Sequence, residues 1–349
     1  MRAFFGFTWC LILLLLAGPG HGFTTSSKAQ KIFHQALATQ HTGNLNQAVA
    51  LYTKAINLDS RFWEAYYNRG NVYLEMRIYS RAVKDYTKTI SIHPECVRAY
   101  INRAYALEML GRYGEAINDI TEAIIRDPEN GGLYLNRATL HEKRGDLEYA
   151  LQDYSRAIER DPNNYEAYLM RAYVLKRQGR VREAIADFSK AIALNSNCSK
   201  AYGSRAGLYE ETGQLEAALS DYEMAIRLDP GQSVFHFNMG VLLCRMGRYG
   251  QAIKEFSKVI QLKEDDARAY EGRGYCFASL NKHKETIADF TKAIQLDPGR
   301  AEAYLNRGAS YRKVGNNRAF LNDYRKAAAL GSPQAIAYLK SHGIGWRGH

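Results

Sequence analysis

The amino-acid sequence predicts an all-α fold, a superhelical solenoid of nine antiparallel helix pairs ending in a short capping helix. Three observations carry this expectation. The chain aligns on itself at a shift of 34 residues, without a gap, from Ala29 to Gln334. Within that period one position is always Gly or Ala, and large aromatic residues, many of them among the 25 tyrosines, return at fixed places around it. A length of 349 residues would otherwise suggest two or three ordinary domains, so the repeat decides the organisation.

The repeats run 29–62, 63–96, 97–130, 131–164, 165–198, 199–232, 233–266, 267–300 and 301–334. With each repeat numbered from one, positions 4, 8 and 11 share a face of a first helix, and positions 20, 24, 27 and 28 share a face of a second. Position 8 holds Ala36, Gly70, Ala104, Ala138, Ala172, Ala206, Gly240, Gly274 and Gly308. Position 20 is Ala in the first seven repeats, then Thr286 and Phe320. Small residues opposite one another let two helices approach closely, and large ones at positions 4 and 24 fill the space alongside. Position 4 is Tyr in seven repeats, departing at Ile32 and His236, and position 24 is aromatic in eight, departing at Ile120. Position 15 is Gly in seven repeats, which gives the first helix a left-handed ending. Position 32 is Pro in five, which stops the second. One hairpin cannot bury its own apolar face, so neighbours must stack. After repeat nine, Ser332 and Pro333 read as the N-cap and first residue of a capping helix over 333–342, with Ala335, Ile336 and Leu339 as its apolar stripe.

This pattern, with large residues at positions 4, 11 and 24 and small ones at 8, 20 and 27, is similar to the tetratricopeptide repeat (TPR). The resemblance covers nearly nine-tenths of the chain. It implies a right-handed superhelix whose first helices line a concave groove, with positions 2, 5, 6, 9, 12 and 13 turned into it. Position 6 carries Asn68, Asn102, Asn136, Asn238 and Asn306. This resembles the asparagine array by which some members of the family hold the backbone of an extended peptide. An amide donates and accepts at once, so it matches a peptide group whatever the sequence. The array breaks at Met170, Ser204 and Gly272, which leaves an unbroken run only in repeats two to four. Tyr105, Tyr173 and Tyr275 occupy position 9, Tyr67 and Phe237 position 5, and Lys176, Arg177, Arg180 and Arg182 make repeat five basic. The candidate partner-binding residues are Asn68, Asn71, Asn102, Tyr105, Asn136, Tyr173, Lys176 and Arg177. Asparagine on a merely solvated face is the competing reading, and the sequence leaves both open. A chaperone-tail clamp of the kind some members carry is not favoured: Asn71 and Asn102 suit it, but Tyr67 stands where its first Lys belongs.

Position 7 is Arg in seven repeats, and position 23 is Asp in the same seven: Arg69 with Asp85, Arg103 with Asp119, Arg137 with Asp153, Arg171 with Asp187, Arg205 with Asp221, Arg273 with Asp289 and Arg307 with Asp323. The repeats lacking Arg, at Gln35 and Met239, also lack Asp, having Leu51 and Glu255. Pairing within a repeat accounts for both exceptions, so a structural ion-pair ladder is expected. An arginine row for phosphate or nucleic acid is the alternative, but the paired Asp would neutralise it.

No HExxH, phosphate-cradling GxxxxGK[ST] or nucleophile–base spacing occurs, so no catalytic, cofactor or metal site is expected. Arg2, the apolar run Ala3 to Ala17 and the following Gly and Pro residues give residues 1–22 the pattern of a signal peptide, with 23–28 as linker. That places the chain in the secretory pathway, the ER lumen or outside the cell; if the segment is not a signal, the chain is cytoplasmic. The run is too short for a comfortable transmembrane span. Cys96, Cys198, Cys244 and Cys276 form no CxxC pair and set no disulfide framework. Net charge is +11, of which residues 300–349, including a basic tail at 343–349, carry +7 from nine Lys/Arg and two acids. Nucleic acid is nonetheless not the expected partner. The reading is a protein-interaction scaffold for an extended or helical partner segment; the alternative is a holdase or co-chaperone for unfolded clients in the ER lumen. Partner identity and oligomeric state are open.

Overall fold

The computed structural model describes residues 26–345, and the 1–22 leader and the end of the basic tail lie outside them. The chain divides after Arg144 into two compact bodies. The N-terminal body holds α1 (Ser27–His41), α2 (Leu45–Leu58), α3 (Trp63–Glu75), α4 (Tyr79–Ile92), α5 (Val97–Met109), α6 (Tyr113–Arg126) and α7 (Gly131–Arg144). The C-terminal body begins with α8 (Leu147–Arg160), α9 (Tyr165–Arg177), α10 (Val181–Leu194), α11 (Ser199–Glu211) and α12 (Leu215–Leu228). It continues with α13 (Ser233–Arg245), α14 (Tyr249–Leu262), α15 (Ala267–Ser279), α16 (His283–Leu296), α17 (Ala301–Lys313), α18 (Asn317–Ala329) and α19 (Pro333–Ser341). Within each body, successive helices pack as antiparallel pairs and each pair stacks on the next. There is no strand among the described residues, and no described helix is long and apolar enough to cross a membrane.

The close approach of paired helices follows from their small residues. Ala36, Ala104, Ala172 and Ala206 are buried against the second helix, as are Ala48, Ala82, Ala116, Ala184, Ala218 and Ala252 against the first. The aromatic ring at position 24 closes the remaining space, and Tyr52, Tyr86, Phe188 and Tyr222 are essentially inaccessible. Where position 8 is Gly the ring comes nearer still: a Cβ built on Gly70 would stand 2.8 Å from Tyr86.

Each first helix ends with position 15 in the left-handed region. Gly43, Gly111, Gly145, Gly179, Gly213, Gly247 and Gly315 have φ between 72° and 97°. The two repeats without Gly keep the same turn, with Arg77 and Asn281 both at φ 59°. The turn is therefore imposed by hairpin packing, and Arg77 bears the steric cost of a Cβ there. Arg77→Gly is expected to raise stability by about 1 kcal/mol, read as a higher melting midpoint.

At the C-terminus, the Ser332 side chain accepts from the Ala335 N–H, and Pro333 opens α19. Ala335 and Leu339 are fully buried against repeat nine. Phe320 breaks the small-residue rule at position 20 because its ring packs on Tyr324 and on Tyr338 of α19, at 4.5 and 5.3 Å. The Arg312 guanidinium lies over Phe320 and Tyr338 at 5.4 and 5.5 Å, closing that end.

Candidate partner-binding site

The arginines at position 7 form a repeated three-way contact. Arg69 donates from Nε and Nη2 to both carboxylate oxygens of Asp85, at 2.8 and 2.7 Å, and from Nη1 to Thr53 Oγ1 at 2.8 Å. The same geometry recurs at Arg103 with Asp119 and Thr87, and at Arg171 with Asp187 and Ser155. It recurs again at Arg205 with Asp221 and Ser189, at Arg273 with Asp289 and Ser257, and at Arg307 with Asp323 and Thr291. Arg137 donates to Thr121 at 3.0 Å within the N-terminal body, whereas Asp153 belongs to the C-terminal body. All seven guanidiniums also lie over the position-4 tyrosine of their own repeat, at 5.6 to 5.9 Å. Burial pushes the Asp85 and Asp119 carboxyls up, and the hydrogen bonds from Arg69 and Arg103 pull them only part of the way back.

Sequence reasoning missed the hydroxyls. They occupy position 25 of the preceding repeat, so Arg69, Arg103, Arg171, Arg205, Arg273 and Arg307 each tie their own hairpin together and also tie it to its neighbour. The hydroxyl hydrogen of Thr53 goes to the Val49 carbonyl at 2.7 Å, which leaves its lone pairs for the guanidinium. The signal was present one repeat upstream of each Arg. Position 25 is Ser or Thr before every Arg repeat, and it is Glu223 before Met239. In that seventh repeat, buried His236 replaces the tyrosine. Its Nδ1 meets Glu255 at 2.8 Å and its Nε2–H donates to the Pro230 carbonyl at 3.2 Å. Tyr134 reaches the corresponding Pro128 carbonyl at the same distance.

The candidate amides of the N-terminal body are not equivalent. Asn102 Nδ2 donates to Asn71 Oδ1 at 2.9 Å and to Tyr67 Oη at 3.2 Å, and the buried Tyr86 hydroxyl donates to the same Asn71 oxygen at 2.7 Å. Asn71 and Asn102 are thus part of a network that fixes neighbouring first helices. Asn68 Nδ2 donates to the Glu64 carbonyl one turn back, at 2.8 Å. Asn136, half-buried on α7, makes no side-chain hydrogen bond among the described residues. Tyr105 is half-buried on α5.

In the C-terminal body, Lys176 and Arg177 are exposed at the end of α9. The Tyr173 ring instead packs edge-on against Phe188 at 5.3 Å, and its hydroxyl accepts from Ser204 Oγ at 3.4 Å. The more developed concavity lies further along. Phe237, Arg268, Glu271, Gly272, Tyr275, Phe290, Arg300, Glu302 and Asn306 line an open cleft of about 350 Å³ on α13, α15, α16 and α17. Its charges are largely paired internally. Arg300 grips both oxygens of Glu271 at 2.5 Å, and Arg268 binds Asp266 at 3.0 Å while lying over the Phe237 ring at 5.1 Å. What remains for a ligand is an aromatic wall with Tyr275 51% exposed, the Glu302 carboxylate and the uncommitted Asn306 amide. No group of three or more His, Cys, Asp or Glu side chains able to hold a metal occurs among the described residues.

Family models described as tetratricopeptide repeat match residues 110–165, 135–193 and 169–233, residues 63–96 and 267–300, and residues 221–254; one described as TPR repeat matches 41–76. No curated protein matches the sequence. Among solved structures, the chain is similar to YrrB, described as a TPR protein with an unusual peptide-binding site. Identity is 23% and the TM-score 0.50, over 54% of this chain and 97% of that one. It is also similar to the C-terminal part of a TPR repeat-containing protein from Cytophaga hutchinsonii, at 18% identity and a TM-score of 0.61, over 69% of this chain and 98% of that one. A tetratricopeptide repeat protein from Parabacteroides merdae gives 21% and 0.50, over 69% and 96%. At these identities the likeness is one of fold.

Proposed function

The chain belongs to the tetratricopeptide repeat family, and we propose that it works as a non-enzymatic protein-interaction scaffold holding an extended segment of a partner protein. The observation that carries this reading is the cleft on α13, α15 and α17. Positions 2, 5, 6 and 9 of consecutive repeats line it, its charges other than Glu302 are paired, and it keeps an exposed aromatic ring beside a free amide. An aromatic wall takes an apolar side chain, and an amide pairs with the peptide group next to it, which suits a segment without regular structure. The peptide-binding site ascribed to YrrB supports the same ligand class. Asn68 and Asn136 of the N-terminal body offer a second stretch for the same kind of segment.

A library of random linear peptides selected on the full chain tests both stretches, with affinities of the selected peptides measured by fluorescence anisotropy. Tyr275→Ala combined with Asn306→Ala is expected to weaken binding at least about 10-fold with an unchanged melting midpoint, since truncating an anchor commonly costs more than 1 kcal/mol. Asn68→Ala combined with Asn136→Ala reports on the N-terminal stretch in the same way. Wild-type affinity in both double variants would defeat the proposal.

A further inference from the structure

Cys244 and Cys276 escape attention in the sequence because they are 32 residues apart and sit in different repeats. The fold brings them together. Cys244 is near the end of α13, Cys276 is in the middle of α15, and both belong to one apolar cluster around Phe256 and Leu243. The two helices touch, and the thiols lie close enough to act on one another's proton. Both are free thiols, but their surroundings differ: Cys276 is fully buried, whereas Cys244 is half-buried and reachable from solvent.

We propose that Cys244 and Cys276 are a redox-modified pair that closes to an intramolecular disulfide, linking the first helices of repeats seven and eight, when the chain meets a small-molecule or protein disulfide. The order of events follows from burial: only Cys244 is open to an external reagent. The Cys244 thiolate attacks one sulfur of the external disulfide, forming a mixed disulfide and expelling the first thiolate. Cys276 passes its proton to that thiolate and attacks Cys244 Sγ, which expels the second thiolate. The protein loses two hydrogens and the external disulfide becomes two thiols, so the exchange balances. Burial of Cys276 also keeps the resolving thiol from being capped from outside. Closing a loop of about 30 residues restricts the unfolded chain, and the bond ties α13, which carries Phe237, to α15, which carries Gly272 and Tyr275. Cys96 and Cys198 have no second cysteine in the clusters around them.

The test uses the full chain, reduced and then equilibrated in glutathione buffers of increasing oxidised fraction. It is quenched by alkylation, digested without reduction and mapped by mass spectrometry. The expected product is a cross-linked peptide pair containing Cys244 and Cys276, two hydrogens lighter than the sum, and lost on adding dithiothreitol. Cys276→Ser should then accumulate glutathione on Cys244, because no thiol remains to resolve the adduct. In Cys244→Ser, Cys276 should stay unmodified while the chain is folded. The proposal is overturned if the wild-type chain keeps a stable glutathione adduct on Cys244 without cross-linking, or if both thiols remain fully alkylatable in the oxidised buffer. The wild-type measurement decides this even where a serine variant folds poorly.

Discussion

Arg205→Ala is expected to lower the stability of the C-terminal body by about 3–5 kcal/mol. The reason lies in what the substitution leaves behind. Asp221 is 5% exposed, and both its oxygens accept from Arg205, at 2.7 and 2.8 Å. Alanine strands that carboxylate in a site with no other charged donor, frees Ser189 Oγ of its contact across the repeat boundary, and uncovers the Tyr202 ring. Replacing both partners, Arg205→Leu with Asp221→Leu, should recover most of the loss, because a buried pair and a packed apolar pair are of similar worth. Arg112 and Glu115 supply the control. Their bidentate contact is equally short, 2.7 and 2.6 Å, but it is solvent-exposed, and Arg112→Ala should leave the melting midpoint where it is. Repeat arrays need not unfold in one step, so hydrogen exchange on α11 and α12 is the sharper readout beside thermal melts. A loss below about 1 kcal/mol for Arg205→Ala would mean that water reaches Asp221 and that the ladder is ordinary surface.

The fold class was legible in the sequence because the repeat uses small residues where backbones must approach and large ones where space must be filled, and both constraints recur every 34 residues. Pairing of Arg205 with Asp221 could be inferred because the two positions change together. The hydroxyl at position 25 was harder to see. A Ser or Thr on a helix reads as solvent-facing, and its partner lies in the next repeat, so the shared departure at Glu223 and Met239 shows only when positions are compared across a repeat boundary. The candidate site was legible as a pattern but not as chemistry. Asn68, Asn102 and Asn136 look alike at position 6, yet Asn102 is committed to Asn71 and Tyr67, Asn68 turns back to Glu64, and only Asn136 is uncommitted. Such differences depend on what stands at position 9 of the neighbouring repeat, which a single column does not show. The cleft on α13 to α17 was hidden because Gly272 interrupts the asparagine run and because Arg300 and Glu271 cancel in any charge count.

Gly203→Ala is expected to cost about 1–3 kcal/mol, although alanine is the better helix former by roughly 1 kcal/mol. Gly203 lies within α11 at position 5, which other repeats fill with Phe33, Tyr67, Ile101 or Leu169. The reason for the departure lies in the next repeat, where Phe235 occupies position 3 in place of the usual alanine. A Cβ on Gly203 would stand 2.3 Å from the edge of the Phe235 ring, far inside contact distance, and that ring is only 7% exposed with nowhere to turn. Overpacking therefore outweighs helix propensity. Gly207 on the same helix provides the opposite sign: nothing approaches its built Cβ closer than 3.8 Å, so Gly207→Ala should stabilise by about 0.8–1.0 kcal/mol. Phe235→Ala alone should destabilise by about 3–5 kcal/mol through the cavity it opens. With Phe235→Ala already in place, adding Gly203→Ala should cost nothing and could gain, because the new methyl enters the space the ring has left. A double-mutant cycle in urea should accordingly return a coupling energy of at least about 1 kcal/mol between the two sites. Additive costs would show that Phe235 swings aside, and that the glycine and the phenylalanine were not fitted to one another.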